Sequence, residues 1–469
     1  MDARLNELMA ALPEEQSSEA GFSREQLQEI FAEMSLRPVP TGSVHRFCSV
    51  SELSAQVALA YAALWIRGWF ADAGAKERRA METNLRLGVK IFRRLGYLRG
   101  ALMKVGQTAG NMPHIFPAQI ADTLDRLHFE APPMHYSLIR EVLSNELGGD
   151  PEEIFQSFEK EAFSAASIGQ VHRAKLKSGK LVAVKVQYPG IARTVEADFR
   201  TLNGLVQPLR LGKDWESLKT QLSDIHHMIK LEVDYVHEAK SLRRVRVLFE
   251  GEADFVVPKV YDEYSTGRVL TMDFIPGLHL PEFLATQPPQ DLRNRFGTKL
   301  FYSWHRMHAA RMNYADPQSG NYLFMDDGRL GLIDFGCVQK FNDEEFELLR
   351  LGYRIDRGDE SAIRELLRLS CNATAADFGN QEYMGLINES IRWQKEPVLH
   401  EGPFDFGDEE YLKRGVAWFA GLVAKRYTRS HPMWAYFHRS SFGVKALLLR
   451  LRAQVDMRDM PLQQWWNSE

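Results

Sequence analysis

Residues 314–321 read Tyr314-Ala315-Asp316-Pro317-Gln318-Ser319-Gly320-Asn321, and an apolar stretch then leads through Leu332 and Ile333 into Asp334-Phe335-Gly336. An aspartate followed five positions on by an asparagine, and then by a second aspartate after a strand, collects oxygen ligands of one kind. Phosphoryl transfer asks little covalent chemistry of a protein: one carboxylate near the attacking oxygen, and carboxylate and amide oxygens that hold Mg²⁺ against phosphates. Asp316 fits the first role, and Asn321 and Asp334 fit the second. Either motif alone reads equally well as a turn; their order and the strand before Asp334 carry the argument.

Upstream, Val182-Ala183-Val184-Lys185-Val186 is a β-branched strand holding one lysine. A charge inside an apolar strand needs a negative partner, and a strand lysine ahead of D-x-x-x-x-N and D-F-G is the order that protein kinases use. Where a kinase carries its glycine-rich phosphate loop, this chain has Phe163-Ser164-Ala165-Ala166-Ser167-Ile168-Gly169-Gln170-Val171-His172. Alanine and serine replace the glycines that let backbone approach phosphate without Cβ atoms.

The segment Ala165-Ala166-Ser167-Ile168-Gly169-Gln170-Val171-His172, followed by the V-A-V-K strand and preceded by Lys104-Val105-Gly106-Gln107, resembles the UbiB/AarF/ADCK family of atypical kinases. The resemblance runs from about Leu85 to the C-terminus. It implies an α+β, bilobal protein-kinase-like fold with an added N-terminal helical K-x-G-Q element. It further implies Mg²⁺ and ATP or ADP as cofactors, Lys185 on the phosphates with Glu238 as its helix partner, and Asp316 at the catalytic-base position. Asn321 and Asp334 would hold the metal. Ala165, Ala166, Ser167 and Gly169 would line the nucleotide, and Asp273 and Phe274 would form the adenine hinge. Lys104, Gln107 and the E-x-D pair Glu232 and Asp234 would cover the pocket. The catalytic loop departs from the family's H-A-D-P-H-P-G-N: Tyr314 and Gln318 replace both histidines, and Ser319 a proline. Proton shuttling by those histidines is thereby put in doubt.

The stretch after Gly336 is independent of any family. Cys337 to Glu344 leads straight toward a helix, with no space for an activation loop and no A-P-E. The residue directly before Asp316 is Ala315, not an arginine that could read an activation-loop phosphate. Peptide docking and control by phosphorylation are therefore not expected.

Periodicity divides the chain into a weakly structured segment (1–50), a helical K-x-G-Q region (51–149), a strand-bearing lobe (150–280) and a helical lobe (281–469). Strands are expected at Ser167–Leu176 and Lys180–Val186, joined at Ser178-Gly179, and at Phe255–Val260, Arg268–Phe274, Tyr322–Phe324 and Leu330–Ile333. Asp150-Pro151-Glu152-Glu153 carries helix-start chemistry.

The bulk properties fit a globular chain. Of 469 residues, 45% are hydrophobic and 26% charged, and the net charge of -4 argues against general nucleic-acid binding. Cys48, Cys337 and Cys371 are too scattered for a zinc site or a disulfide framework, which suits a reducing compartment. The start shows no basic region ahead of an apolar core, and Val57–Ile66 is about half the roughly 20 residues needed to span a bilayer. A cytoplasmic chain is expected, peripheral to the membrane if the basic run Lys76–Arg79 meets anionic lipid. His305 and His308 share a helix face, but no third ligand accompanies them, which favours core histidines.

These readings converge on a Mg²⁺-dependent ATPase or small-molecule kinase that serves isoprenoid-lipid or quinone metabolism by resemblance. A nucleotide-gated lipid-binding or scaffold protein with little turnover is the alternative. An aminoglycoside-type phosphotransferase would share the D-x-x-x-x-N but not the K-x-G-Q or alanine-rich elements.

Overall fold

The computed structural model describes residues 134–461, apart from 167, 194, 197–198, 201–222, 224–225, 357–358, 360, 426 and 428–430. The weakly structured segment 1–50, the K-x-G-Q residues Lys104 and Gln107, the Val57–Ile66 stretch and the basic run lie outside the described residues. The chain divides into two compact units, each taken by itself below. One runs to Val142 and includes Lys160–His172 and Val186–Val233; the other comprises Leu143–Glu159, Arg173–Lys185 and Asp234–Glu469.

The described elements begin with α1 (Tyr136–Leu147), a single-turn α2 (Pro151–Ile154), and strands β1 (Ser157–Phe158), β2 (Ser164–Ala166), β3 (Gly169–Lys175) and β4 (Leu181–Gln187). They continue through α3 (Tyr235–Leu248), β5 (Phe255–Val256) and β6 (Val269–Asp273). The strands run in the order β1-β3-β4-β6, with β2 paired to β3. The β3–β4 turn follows from its sequence: Gly179 sits at φ +86°, its N–H donates to Leu176 O at 2.8 Å, and Leu176 N–H donates to Lys180 O at 2.8 Å. This is a three-residue hairpin turn in which glycine supplies the left-handed residue.

Several expectations are corrected. The Phe255–Val260 strand shrinks to β5, because Pro258 has no N–H to give a ladder; Val260 keeps one bridge to Met272. The alanine-rich loop is largely ladder: Ser164, Ala165 and Ala166 pair with Val171, Gln170 and Gly169. Asp150 precedes helix α2 but caps nothing with its side chain, which instead accepts from Ser144 Oγ at 2.9 Å.

Within the second unit, α4 (Leu280–Ala285) and α5 (Gln290–Ala309) lead into β7 (Met312–Tyr314), β8 (Tyr322–Phe324), β9 (Leu330–Leu332) and β10 (Val338–Lys340). Two small sheets frame the motif residues. In one, β9 pairs antiparallel with β8 and parallel with β5. In the other, β10 pairs antiparallel with β7. Gly331 of β9 sits in close packing: a Cβ there would stand 3.1 Å from the Leu323 Cβ and 3.3 Å from Ile275 Cγ2, so those side chains would have to give by a few tenths of an ångström.

The remainder is helical: α6 (Asp343–Asp356), α7 (Ser361–Cys371), α8 (Ala375–Gly379), α9 (Gln381–Leu399), α10 (Glu409–Ala424) and α11 (Met433–Leu451). Between α9 and α10 comes β11 (Phe404–Asp405), which pairs with β12 (Gln454–Val455). His305 and His308 are core residues. Burial pushes them down to about 3 and about 4, so both are neutral near pH 7, and His308 Nδ1 meets Trp304 O at 2.7 Å. Among the described residues no helix is long and apolar enough to cross a membrane.

The helical core buries one lysine. Lys445 Nζ lies 3.7 Å from the centre of the Trp393 ring, and Trp393 stacks on Tyr411 and Phe442. Burial pushes Lys445 down to about 7, against the pull of Asp356, and pushes the Asp356 carboxyl up to about 7. The lysine penalty is complete below pH 7 and fades toward 10.5; the aspartate penalty is complete above pH 7 and fades toward 3.8. The pair's contribution to stability is therefore least favourable near neutrality. Thermal melts across pH 5–9 should show the wild type gaining stability above pH 7 relative to Lys445→Met. Parallel alkaline limbs for the two would refute this.

Candidate active site

Strand alternation explains how a lysine comes to stand in an apolar strand. Val182 and Val184 occupy one face of β4 and are fully buried in the core, while Ala183 and Lys185 occupy the other. Lys185 Nζ donates to Glu238 Oε1 at 2.8 Å and Oε2 at 2.9 Å, and to Asp334 Oδ2 at 2.9 Å. Its ammonium also lies 5.1 Å from the Tyr235 ring centre. The sequence motifs separated by 53 and 149 residues thus meet at one nitrogen.

Helix α3 delivers Glu238. Asp234 caps its start, accepting from His237 N–H at 3.0 Å through Oδ1, and Glu238 N–H donates to Asp234 O at 3.0 Å. His237 Nε2 pairs with Val338 O at 3.0 Å, tying the first turn of α3 to the strand after Asp334-Phe335-Gly336. Asp234, expected to cover the pocket, here builds the helix that carries Glu238. Glu232, in the other unit, is buried at the end of helical residues 226–232.

The electrostatics follow from burial and pairing. The side chains of Lys185 and Glu238 are 9% and 1% exposed, and that of Asp334 is 34% exposed. Burial opposes the Lys185 charge, but the Asp334 and Glu238 carboxylates outweigh it and hold the lysine well above its usual value. Burial likewise pushes the Asp334 carboxyl up, and the Lys185 ammonium overrides it, holding Asp334 below the usual carboxylate range. Asp334 Oδ1 also accepts from Gly336 N–H at 3.1 Å.

The two ribbons bring the remaining motif residues in. The β8–β9 register sets Tyr322 opposite Leu332, and Ile333 N–H donates to Asn321 O at 3.2 Å, so Asn321 lies beside the segment leading into Asp334. In the β7–β10 ribbon Tyr314 pairs with Val338, and Ala315 N–H donates to Cys337 O at 3.1 Å. The chain after Gly336 therefore returns at once against the strand that delivers Asp316. The space of an activation loop is taken by this ribbon, as the sequence suggests.

Asn321 Nδ2 donates to the Asp316 carbonyl at 2.8 Å, and its amide oxygen accepts a long bond from Gln318 Nε2 at 3.5 Å, with a second lone pair that could serve a metal. With the Asp334 carboxylate this makes an all-oxygen donor set, which suits Mg²⁺ rather than a soft metal. The two histidine replacements acquire structural roles. Gln318 Nε2 donates to Asp316 Oδ2 at 3.0 Å. The Tyr314 ring packs on Tyr322 and Phe335, and burial pushes its phenol well above the usual value, with help from Tyr322 and the Asp334 and Asp316 carboxylates.

One participant escaped the sequence. Arg439 of α11 donates through Nη2 to Asp316 Oδ1 at 2.7 Å, with both side chains 10% exposed. It lies 123 residues from Asp316 among 58 lysines and arginines, and no local motif marks it. At the expected hinge, the Asp273 carboxylate is committed to strand bracing: it accepts from Tyr261 OH at 2.8 Å and from Lys259 N–H at 3.1 Å. Phe274 N–H donates to Leu181 O at 3.3 Å, and its ring lies 4.7 Å from the Arg173 guanidinium. Ala165, Ala166 and Gly169 lie in the β2–β3 hairpin of the other unit; Ser167 is outside the described residues.

The model of the ABC1 atypical kinase-like domain matches residues 126–367, more than half of the chain. The chain belongs to this atypical-kinase family. The "Atypical kinase COQ8B, mitochondrial" of Danio rerio is 28% identical over 378 residues, covering 79% of this chain and 60% of that protein. The "Probable serine/threonine-protein kinase abkA" of Dictyostelium discoideum is 30% identical over 403 residues, covering 80% of this chain and 69% of that protein. The chain thus spans 60 to 69% of the length of these two relatives. Among solved structures, the complex of Rv3197 with erythromycin from Mycobacterium tuberculosis superposes with a TM-score of 0.55 at 26% identity, covering 82% of this chain and 96% of that one. The atypical-kinase membership and the mixed α+β kinase-like fold accord with the motif reading.

Proposed function

We propose that this atypical kinase binds ATP with Mg²⁺ and acts as a small-molecule or lipid kinase or ATPase in isoprenoid-lipid or quinone metabolism, not as a protein kinase. The observation that carries the nucleotide reading is the meeting of Lys185 with Glu238 and Asp334 at one buried ammonium. In a kinase, that lysine places the phosphates and that aspartate places the metal. Asn321 and Asp334 would hold Mg²⁺, which when bound would neutralise phosphate charge. Lys185 would orient the phosphates, with Glu238 fixing its rotamer. Asp316 would receive the acceptor hydroxyl or water. The lipid-pathway part rests on the family resemblance and on the COQ8B likeness, and the direct return of β10 onto β7 speaks against docking a peptide along an activation loop.

A second reading, nucleotide-gated binding with little turnover, draws on a particular observation: both oxygens of Asp316 already accept hydrogen bonds, from Arg439 and Gln318. Nucleotide titration followed by a phosphate-release assay, with and without isoprenoid-lipid vesicles, separates the two. Phosphate release above the protein-free rate supports the enzyme. Saturable Mg·ATP binding with no release under either condition leaves only the binding module.

A further inference from the structure

Helix α11 meets the catalytic loop at two successive turns. Arg439 and Gly443 are four residues apart and share a face. Arg439 holds Asp316 Oδ1 at 2.7 Å, and Gly443 brings the helix backbone against the next residue of the loop. A Cβ at Gly443 would stand 2.7 Å from Pro317 Cγ and 2.9 Å from the Pro317 carbonyl oxygen, a spacing that only glycine permits. The helix is itself anchored. Trp304 Nε1 of α5 donates to Ser440 Oγ at 2.8 Å, and Phe437 packs on the Trp304 and His308 rings. Arg439 therefore projects from a rigid support onto the carboxylate. It lies outside the matched residues 126–367 and belongs to none of the motifs by which the chain was read.

The chemistry of the pair is one-sided. Asp316 must accept a hydrogen bond from an attacking hydroxyl to assist the attack. The Arg439 guanidinium, 2.7 Å from Oδ1 with both side chains 10% exposed, already fills that acceptor position with a charge-assisted hydrogen bond. With Gln318 on Oδ2, an acceptor group must share an oxygen or displace one of the two donors. Lys185, Glu238 and Asp334, in contrast, are already joined. The nucleotide half of the site is preorganised while the acceptor half is held by the protein's own side chains.

We propose that Arg439 is a positioning residue that latches Asp316, restraining transfer to an acceptor while leaving nucleotide binding intact. This rests on the nucleotide reading above. Cutting the latch speeds turnover, because the released Oδ1 is open to the hydrogen bond from an acceptor hydroxyl or water.

The test uses the full chain, Mg·ADP for binding and phosphate release from Mg·ATP for turnover, in wild type, Arg439→Gln and Arg439→Lys. Arg439→Gln should raise kcat about tenfold or more and leave the Kd for Mg·ADP within about twofold, well under one decade of affinity. Arg439→Lys, which keeps the charge but loses the planar fork, should show a smaller rise. A merely structural arginine would lower kcat and stability together. If Arg439→Gln does not fold, Arg439→Lys decides, and a kcat no higher than wild type overturns the latch. Mg·ADP binding in all variants with no gain in turnover overturns the latch alone. No Mg·ADP binding by the wild type overturns the nucleotide reading and the latch with it.

Discussion

Asp334→Asn is expected to abolish the Mg²⁺-dependent part of nucleotide binding while leaving the protein folded. The substitution keeps shape and an oxygen that can accept from Gly336 N–H, and Lys185 retains both oxygens of Glu238. What disappears is the negative charge a hard cation requires. Titration with ATP in the presence of Mg²⁺ should show affinity falling by about 100-fold, or about 2.7 kcal/mol, and phosphate release should vanish with it. Titration without Mg²⁺ should differ little between wild type and variant, because the phosphates lose no direct ligand. Equal Mg·ATP affinity in the two proteins would sink the assignment of Asp334 as metal ligand. The melting temperature serves as the control, since one partner of Lys185 survives.

Lys185→Met is expected to give the largest loss of stability among the site variants. It leaves Glu238, 1% exposed, without its ammonium. Removing one member of a buried pair costs about 3–5 kcal/mol, because the other charge stays in a poorly polarisable setting. Glu238→Gln should cost less, since Lys185 keeps Asp334. The double variant Lys185→Met with Glu238→Gln should recover much of the loss, as replacing both charges of a buried pair is often nearly neutral. Nucleotide binding should not recover in the double variant. Denaturant melts of the three variants, paired with nucleotide titration, would thus separate what the pair does for folding from what it does for function. Additive stability losses would show that the two side chains do not act as a pair.

Much of the fold was written locally. The β-branched run at Val182–Val186, the glycine at 179 and the apolar stretch through Leu332 and Ile333 announced strands and turns, because those signals depend on neighbours within a few residues. Pro258 shows the limit: the apolar run around it looks like one strand, but a residue without an N–H cannot continue a ladder. The short strands β7 and β10 were not anticipated, since three residues carry too little periodicity, and each is strand-like only because the other is beside it. Serine and alanine at 164–166 read as a phosphate loop because of what they replace, whereas their pairing with Val171, Gln170 and Gly169 depends on register.

The candidate site divides in the same way. The sequence by itself determined the residue types of Lys185, Asp316, Asn321 and Asp334, in the order a kinase uses them, and the family resemblance added Glu238. It also determined the absence of space for an activation loop after Gly336. Only the tertiary structure decided which of these groups touch. It joined Lys185 to both Glu238 and Asp334, turned Asp234 into a helix cap and committed the Asp273 carboxylate to strand bracing. It also brought Arg439 onto Asp316 across 123 residues of chain. The physical reason is that side-chain chemistry is a local property of the sequence. The partner of a buried charge is set by which elements pack together, and no spacing along the chain encodes that.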